Sequence, residues 1–240
     1  NSMYRYSSYQ PPSAPQPPTP PYQPPPSSQQ PPINTSVFID ALGKIRGASL
    51  IFIISSILTG IGIVMFILSI ISLASFSSAF SMKGFIAAVG ATLLLIIFLV
   101  IGAVLALVAL GKLISGARSL AQAEPEFTTA SNLISVGYKW GIILLIVGAL
   151  TLIILIGALL LVLSLIFLLI GNIGLILLCF KLHDRFKDAL YMVAGILFII
   201  GIFVGGVVSF VGWILLYVAL GNTIARLRSQ QAYITPQPPI

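Results

Sequence analysis

Trp140–Phe180, WGIILLIVGALTLIILIGALLLVLSLIFLLIGNIGLILLCF, is the stretch whose reading decides the fold. It runs for 41 residues without an Asp, Glu, Lys or Arg. At about 1.5 Å of rise per residue, a single helix of that length would reach about 60 Å, twice the roughly 30 Å hydrocarbon core of a bilayer. Two antiparallel spans joined by an almost loopless turn fit that thickness. A second uncharged run, Ala189–Ala225, holds 37 residues and poses the same problem.

Outward from these runs, the spacing predicts an all-α, polytopic helical membrane protein with six transmembrane helices arranged as three hairpins. The spans fall at about 48–71, 85–110, 140–156, 159–180, 189–204 and 207–224, inside a helical domain over 37–228. Turns are expected at Ile156-Gly-Ala158 and at Gly205-Gly206. The fifth span is the shortest, about 16 residues against a usual range of about 17 to 25.

Composition agrees. Of 240 residues, 58% are hydrophobic and 7% charged, far below the roughly 25% of a soluble domain. Twelve Lys and Arg outnumber five acids, giving +7. That excess would suggest nucleic acid in a soluble chain, but here the charges flank apolar spans, so membrane topology and anionic headgroups account for it and no nucleic-acid partner is expected. With six spans, one side receives Lys44, Arg46, Lys112, Arg118, Lys139, Lys181, Arg185, Lys187, Arg226 and Arg228, with Arg5 in the N-terminal tail, while Lys83 alone falls on the other. Because the Lys and Arg bias sets orientation, both termini are expected in the cytoplasm, in a multi-pass protein of the cell membrane. Single crossings through the two long runs would instead scatter basic clusters over both faces.

Residues 1–36 read as a disordered Pro/Gln/Tyr-rich cytoplasmic tail. Twelve of the 16 prolines lie in residues 1–32, with Tyr4, Tyr6, Tyr9 and Tyr22 among them. Too little apolar surface is available there to offset the entropy of ordering, which favours polyproline II character. PxxP spacings (Pro12 to Pro15, Pro15 to Pro18) allow docking to a cytoplasmic protein, but such spacings are nearly unavoidable in this composition, which favours a solvated spacer. Residues 229–240 are expected to be a short disordered tail of similar flavour. Residues 1–37 lack the apolar core of a secretory signal, so the first span is expected to act as its own membrane signal, and Met3 is a candidate start.

Between the tails, Asn34-Thr-Ser-Val37 offers N-cap residues. Phe38, Ile39, Leu42 and Ile45 keep helical spacing with Asp40, Lys44 and Arg46 interleaved, as in an interfacial turn or two leading into the bilayer. A Ser-rich passage (Ser72 to Ser81) links the first two spans. The segment 112–118 continues the second as an amphipathic helix, which Glu124-Pro-Glu-Phe127 should break, since Pro125 disfavours helical geometry at the residue before it. Tyr138 and Trp140 sit where aromatic residues favour the interface. A faint repeat aligns three segments opened by Ile101-Gly102, Ile170-Gly171 and Val211-Gly212, each in the second helix of a hairpin that ends in a basic extension.

No Asp, Glu, Lys, Arg or His falls within any span, which counts against a proton-coupled transporter or an intramembrane acid-base enzyme. Polar groups at depth are Ser55, Ser56, Thr59, Thr92, Thr151, Ser164, Asn172 and Ser209, best read as interhelical hydrogen-bonding groups. Gly201-xxx-Gly205-xxx-Ser209 is a small-residue stripe suited to helix packing, in tension with a turn at Gly205. Glu124, Glu126, His183, Asp184 and Asp188 could meet at the cytoplasmic surface, but one histidine and one buried-type cysteine, Cys179, match no metal motif, and no Walker loop, GxSxG or HExxH occurs. No catalytic, cofactor-binding or metal residue is therefore assigned, and no cofactor is expected.

Leu42-Gly-Lys-Ile-Arg-Gly-Ala-Ser-Leu50, Pro125-Glu-Phe127, Gly137-Tyr-Lys-Trp-Gly141 and Gly212-Trp-Ile-Leu-Leu-Tyr-Val-Ala-Leu-Gly221 together resemble an archaeal multi-span membrane family, the domain of unknown function numbered nine-seven-three. The resemblance covers about Phe38 to Ser229, leaves both tails outside, and brings no catalytic residues. Function is accordingly expected to be that of a non-enzymatic transmembrane helical scaffold with a Pro-rich tail for spacing or docking. The alternative is a small transporter or channel acting as a homo-oligomer, with glycine-broken spans near Gly157 and Gly205.

Overall fold

A computed structural model describes residues 35–75, 82–152 and 155–234, all within one compact unit that begins at Ile33. The Pro-rich segment, residues 235–240 and part of the Ser-rich passage (Ser77, Ser78 and Ser81) lie outside the described residues. The fold is all-α: α1 (Thr35–Ser75), α2 (Met82–Ala123), a 3-10 turn (Pro125–Phe127), α3 (Thr128–Leu150), α4 (Leu155–Phe186), α5 (Ala189–Val204) and α6 (Gly206–Ile234). Five of the six helices are long and apolar enough to cross a membrane; α5, with 16 residues, is shorter.

The helices pack as three consecutive hairpins, α1 with α2, α3 with α4 and α5 with α6. Each hairpin also touches the next, and α6 returns to α1, so the bundle is a ring in chain order. Gly102, Gly171 and Gly212 occupy equivalent places in it. Each lies on the second helix of its hairpin and faces the first: Gly102 against Ser55 and Thr59, Gly171 against Tyr138, and Gly212 against Phe198. Absence of a side chain there leaves room for the partner helix's side chains, Thr59, Tyr138 and Phe198, to pack directly on the second helix, and small residues favour such close helix association in lipid.

The core sits at one end, called here the base, where α1, α3 and α5 begin and α2, α4 and α6 end. Leu42, Ile45, Leu113, Leu120, Phe127, Leu178, Leu182, Tyr191, Leu216 and Leu220 are fully buried there. Phe38 packs against Phe127 and Phe186, with ring centroids 6.3 Å and 5.9 Å away. Away from the base the surface is apolar: Ile61, Leu68, Leu93, Ile97, Leu159 and Val207 are all exposed. A water-soluble monomer does not carry apolar surface of this extent, and lipid is the medium that suits it.

Several expectations need correction. The turn of the second hairpin is not at Ile156-Gly-Ala158: α3 ends at Leu150 and α4 begins at Leu155. Gly157 is instead the small residue on the first turn of α4 that lets it close onto the turn, since a Cβ there would strike the backbone of Thr151 and Leu152. Residues 38–45 lead straight into the first span, but their apolar side chains turn into the bundle and not to the membrane surface. They are the first turns of a continuous 41-residue α1, and Phe38, Leu42 and Ile45 are core. Trp140 is half exposed, but Tyr138 turns inward, where its hydroxyl donates to Asn172 Oδ1 at 3.1 Å.

Other features fall where the residues indicated. Pro125 ends α2, and α5 breaks from α6 at Gly205, whose φ of 110° lies in the left-handed region that favours glycine. The Gly201-Gly205-Ser209 stripe belongs to that bend: Gly201 on α5 lies directly against Ser209 on α6. A turn and a close-packing stripe are thus compatible, because the stripe joins two helices of one hairpin.

Candidate functional site

Chemistry-bearing residues concentrate at the base. Glu124 is extended (φ −140°, ψ 117°) between the last turn of α2 and Pro125, and the anchoring Phe127 behind it is fully buried. This kink turns the Glu124 carboxylate inward, where Oε1 accepts from Arg185 Nη2 at 2.8 Å. Arg185 lies in the last turn of α4, so the pair ties the α2–α3 connection to the α4–α5 connection. The Glu124 side chain is 11% exposed and that of Arg185 36%. Burial pushes the Glu124 carboxyl above the ordinary carboxylate range; the Arg185 guanidinium opposes that shift, and neighbouring Glu126 adds to it.

Beside the pair lies a cleft of about 480 Å³ lined by Thr35, Arg185, Thr223, Arg226, Gln230 and Gln231, with Phe38 and Phe186 among its apolar walls. Thr223 shares a 2.8 Å hydrogen bond with Tyr191 at its inner end. The cleft is therefore polar and cationic, with one paired carboxylate. It could accept hydrogen-bonding or acidic groups from a partner, but it offers no nucleophile with an adjacent base.

The residues that sequence reasoning considered as an acid-base or metal cluster do not converge. His183 Nδ1 donates to the Asp188 carbonyl at 3.0 Å, while Asp188 Oδ1 caps α5 by accepting from Leu190 N at 3.0 Å. Lys187 completes this turn with a positive φ of 53°. His183 and Asp188 thus hold the α4–α5 corner together, Asp184 points to solvent, and Glu126 is exposed. No group of three potential metal-binding side chains occurs among the described residues.

Arg46 was not singled out from the sequence. Its guanidinium packs over the Tyr217 ring at 4.6 Å, Nη2 reaches the Tyr217 hydroxyl at 3.3 Å, and Nε is buried without a hydrogen-bond partner. Gly221 makes room for it, since a Cβ there would lie 3.1 Å from Nη2. Arg118 likewise donates to Ser135 at 3.1 Å, joining α2 to α3. Three basic residues expected as surface charge, Arg46, Arg118 and Arg185, are thereby cross-links between helices.

A family model described as a protein of unknown function, DUF973, matches residues 39–240. The chain belongs to that family. The match takes in α2 to α6, α1 from Ile39 onward, and the C-terminal tail, which lies beyond the Phe38 to Ser229 range of the resemblance. No curated protein and no solved structure matches the chain.

Proposed function

We propose that this DUF973 chain is a non-enzymatic scaffold that crosses the membrane six times, with its base and both termini in the cytoplasm. The observation that carries this reading is the pairing of polar groups at depth. Ser55 Oγ donates to Gly102 O and Ser164 Oγ to Gly141 O, each at 2.8 Å and each across a hairpin. Asn172 Oδ1 accepts from Tyr138 across the α3–α4 hairpin at 3.1 Å, and its amide nitrogen donates to Leu168 O of its own helix at 3.1 Å. Groups committed to holding helices together are not available to line a path for a solute, and such bonds are worth on average about 0.6 kcal/mol each in lipid.

Orientation follows from the basic residues that gather at the base, which the positive-inside rule assigns to the cytoplasm. The α5–α6 hairpin is the strained part of this reading. Sixteen residues give about 24 Å of helix, some 6 Å short of the hydrocarbon thickness. Local thinning at fractions of a kcal/mol per Å covers that deficit. The Pro-rich segment would then present PxxP elements to cytoplasmic partners.

The test uses a Cys179→Ala background carrying Ser55→Cys or Ser164→Cys in membranes. A scaffold leaves both thiols unreactive to a water-soluble maleimide from either side. Labelling of either one would reveal a hydrated interior and replace the scaffold with the transporter or channel. Deletion of residues 1–32 tests the tail: identical partners recovered with and without it would remove docking from its role.

A further inference from the structure

On the α1–α2 flank of the base lies a second cleft, of about 660 Å³, and the geometry points to it as a binding site for the headgroup of an anionic phospholipid. Three cations from three helices border it: Lys44 of α1, Lys112 of α2 and Arg228 of α6. Asp40 is the one carboxylate, and it pairs with Lys44 at 2.7 Å. Three positive groups and one negative leave a local charge of +2. Lys112 and Arg228 have no ion-pair partner among the described residues.

The lining suits a phosphate. Gly43 and Gly111 bring bare backbone to the cleft, with open space where their side chains would be, and Ser115 adds a hydroxyl. Arg228 brings a fork of donors that matches phosphate oxygens, and the lysines act as point charges beside it.

Position along the helices selects a lipid over a soluble phosphorylated ligand. On α1 no charged residue occurs after Arg46, and on α2 none occurs between Lys83 and Lys112. Lys112 lies beside Gly47, its Nζ 3.8 Å from where a Cβ would be, so the charges that border the apolar stretch of each helix, Arg46 on α1 and Lys112 on α2, stand level. Directly beyond them the surface is exposed and apolar: Leu50, Ile54 and Ile57 on α1, Val104, Leu107 and Val108 on α2. A headgroup in the cleft would leave its acyl chains along that face. The inference rests on membrane embedding and holds whether the bundle is a scaffold or a transporter.

The test is native mass spectrometry of the full chain in detergent, titrated with phosphatidylglycerol, phosphatidylcholine or inorganic phosphate. One saturable phosphatidylglycerol adduct is expected, with phosphatidylcholine weaker and phosphate unable to displace it. Lys112→Gln and Arg228→Gln should each weaken it about five-fold, the share of one basic residue at an anionic surface. Lys139→Gln, which removes an exposed cation of α3 outside the cleft, should leave it unchanged. Thermal unfolding of each variant in lipid-free detergent should match wild type, which separates lost binding from lost folding. Equal binding by the Lys112→Gln, Arg228→Gln double variant, or equal loss from Lys139→Gln, would overturn the site. Displacement by inorganic phosphate would overturn its assignment to lipid.

Discussion

Gly137→Ala should be among the most damaging single-methyl changes in the bundle. A Cβ at Gly137 would fall onto the backbone N and Cα of Gly171, and within 2.8 Å of Phe167 O. None of these atoms can rotate away, so α3 and α4 must part. Ordinary carbon contacts lie near 3.5–4.0 Å, which sets the required movement at roughly 1 Å, and a gap of that size forfeits about a quarter to a half of each dispersion contact it opens. The loss would spread along the crossing, where Gly141 and Gly148 of α3 and Gly174 of α4 also meet the partner helix closely. Overpacking costs about 1–3 kcal/mol, and a clash against rigid backbone belongs near the top, so about 3 kcal/mol is expected. For a chain of this size that lowers the melting temperature by about 6–12 °C. Gly60→Ala is the internal control: nothing lies within 4 Å of a Cβ there, and alanine is the better helix former by about 1 kcal/mol. Thermal unfolding in detergent, followed by circular dichroism and by fluorescence of Trp140 and Trp213, measures both. Equal melting temperatures for Gly137→Ala and Gly60→Ala would refute the backbone-contact argument.

Two further outcomes follow from named contacts. The folded Glu124 carboxyl titrates above its unfolded value, so the folded protein holds more protons in that window, and this group's contribution to stability falls as pH rises through it. Glu124→Gln should remove that part of the slope of melting temperature against pH, whereas Arg185→Met should widen the window and cost about 1–2 kcal/mol at neutral pH, below the range for fully buried pairs because Arg185 is a third exposed. Parallel wild-type and Glu124→Gln slopes would contradict this. Tyr138→Phe should cost about 0.6–1.7 kcal/mol by removing the donor to Asn172, and far less in an Asn172→Leu background, as a double-mutant cycle would show; additive losses would mean the bond does not hold α3 to α4.

Much of the architecture was legible because the bilayer imposes a length and the charges mark its edges. Runs of 41 and 37 uncharged residues had to fold back, Pro125 had to end α2, and Gly205 supplied a backbone conformation few other residues adopt. The misplaced turn has a physical reason: glycine marks both bends and close contacts, and at Gly157 it serves the contact. Phe38, Leu42 and Ile45 show the amphipathic pattern of interfacial turns, and the same pattern serves a helix whose apolar face packs inward on α2 and α6, with Phe38 against Phe127 and Phe186. Helical spacing does not name the neighbour. The base clefts were beyond reach for the same reason, since their walls come from residues as far apart as Thr35 and Gln231. The Arg185 pairing with Glu124 spans 61 positions and leaves no mark in either local pattern.

Topology is the most direct test of the account, and the α5–α6 hairpin is where it bears hardest, because a hairpin that merely dips into the bilayer returns both ends to the same side. In a Cys179→Ala background, single cysteines replace Leu152 and Gly206 at the hairpin tips and Glu126 and Gln230 at the base. Gly206 is chosen because open space surrounds it and its backbone, unlike that of Gly205, accepts a side chain. Six crossings predict that Leu152→Cys and Gly206→Cys react with an impermeant thiol reagent from outside intact cells, and that Glu126→Cys and Gln230→Cys react only after permeabilisation. Silence at Gly206→Cys from outside, or labelling of either base position there, would contradict it.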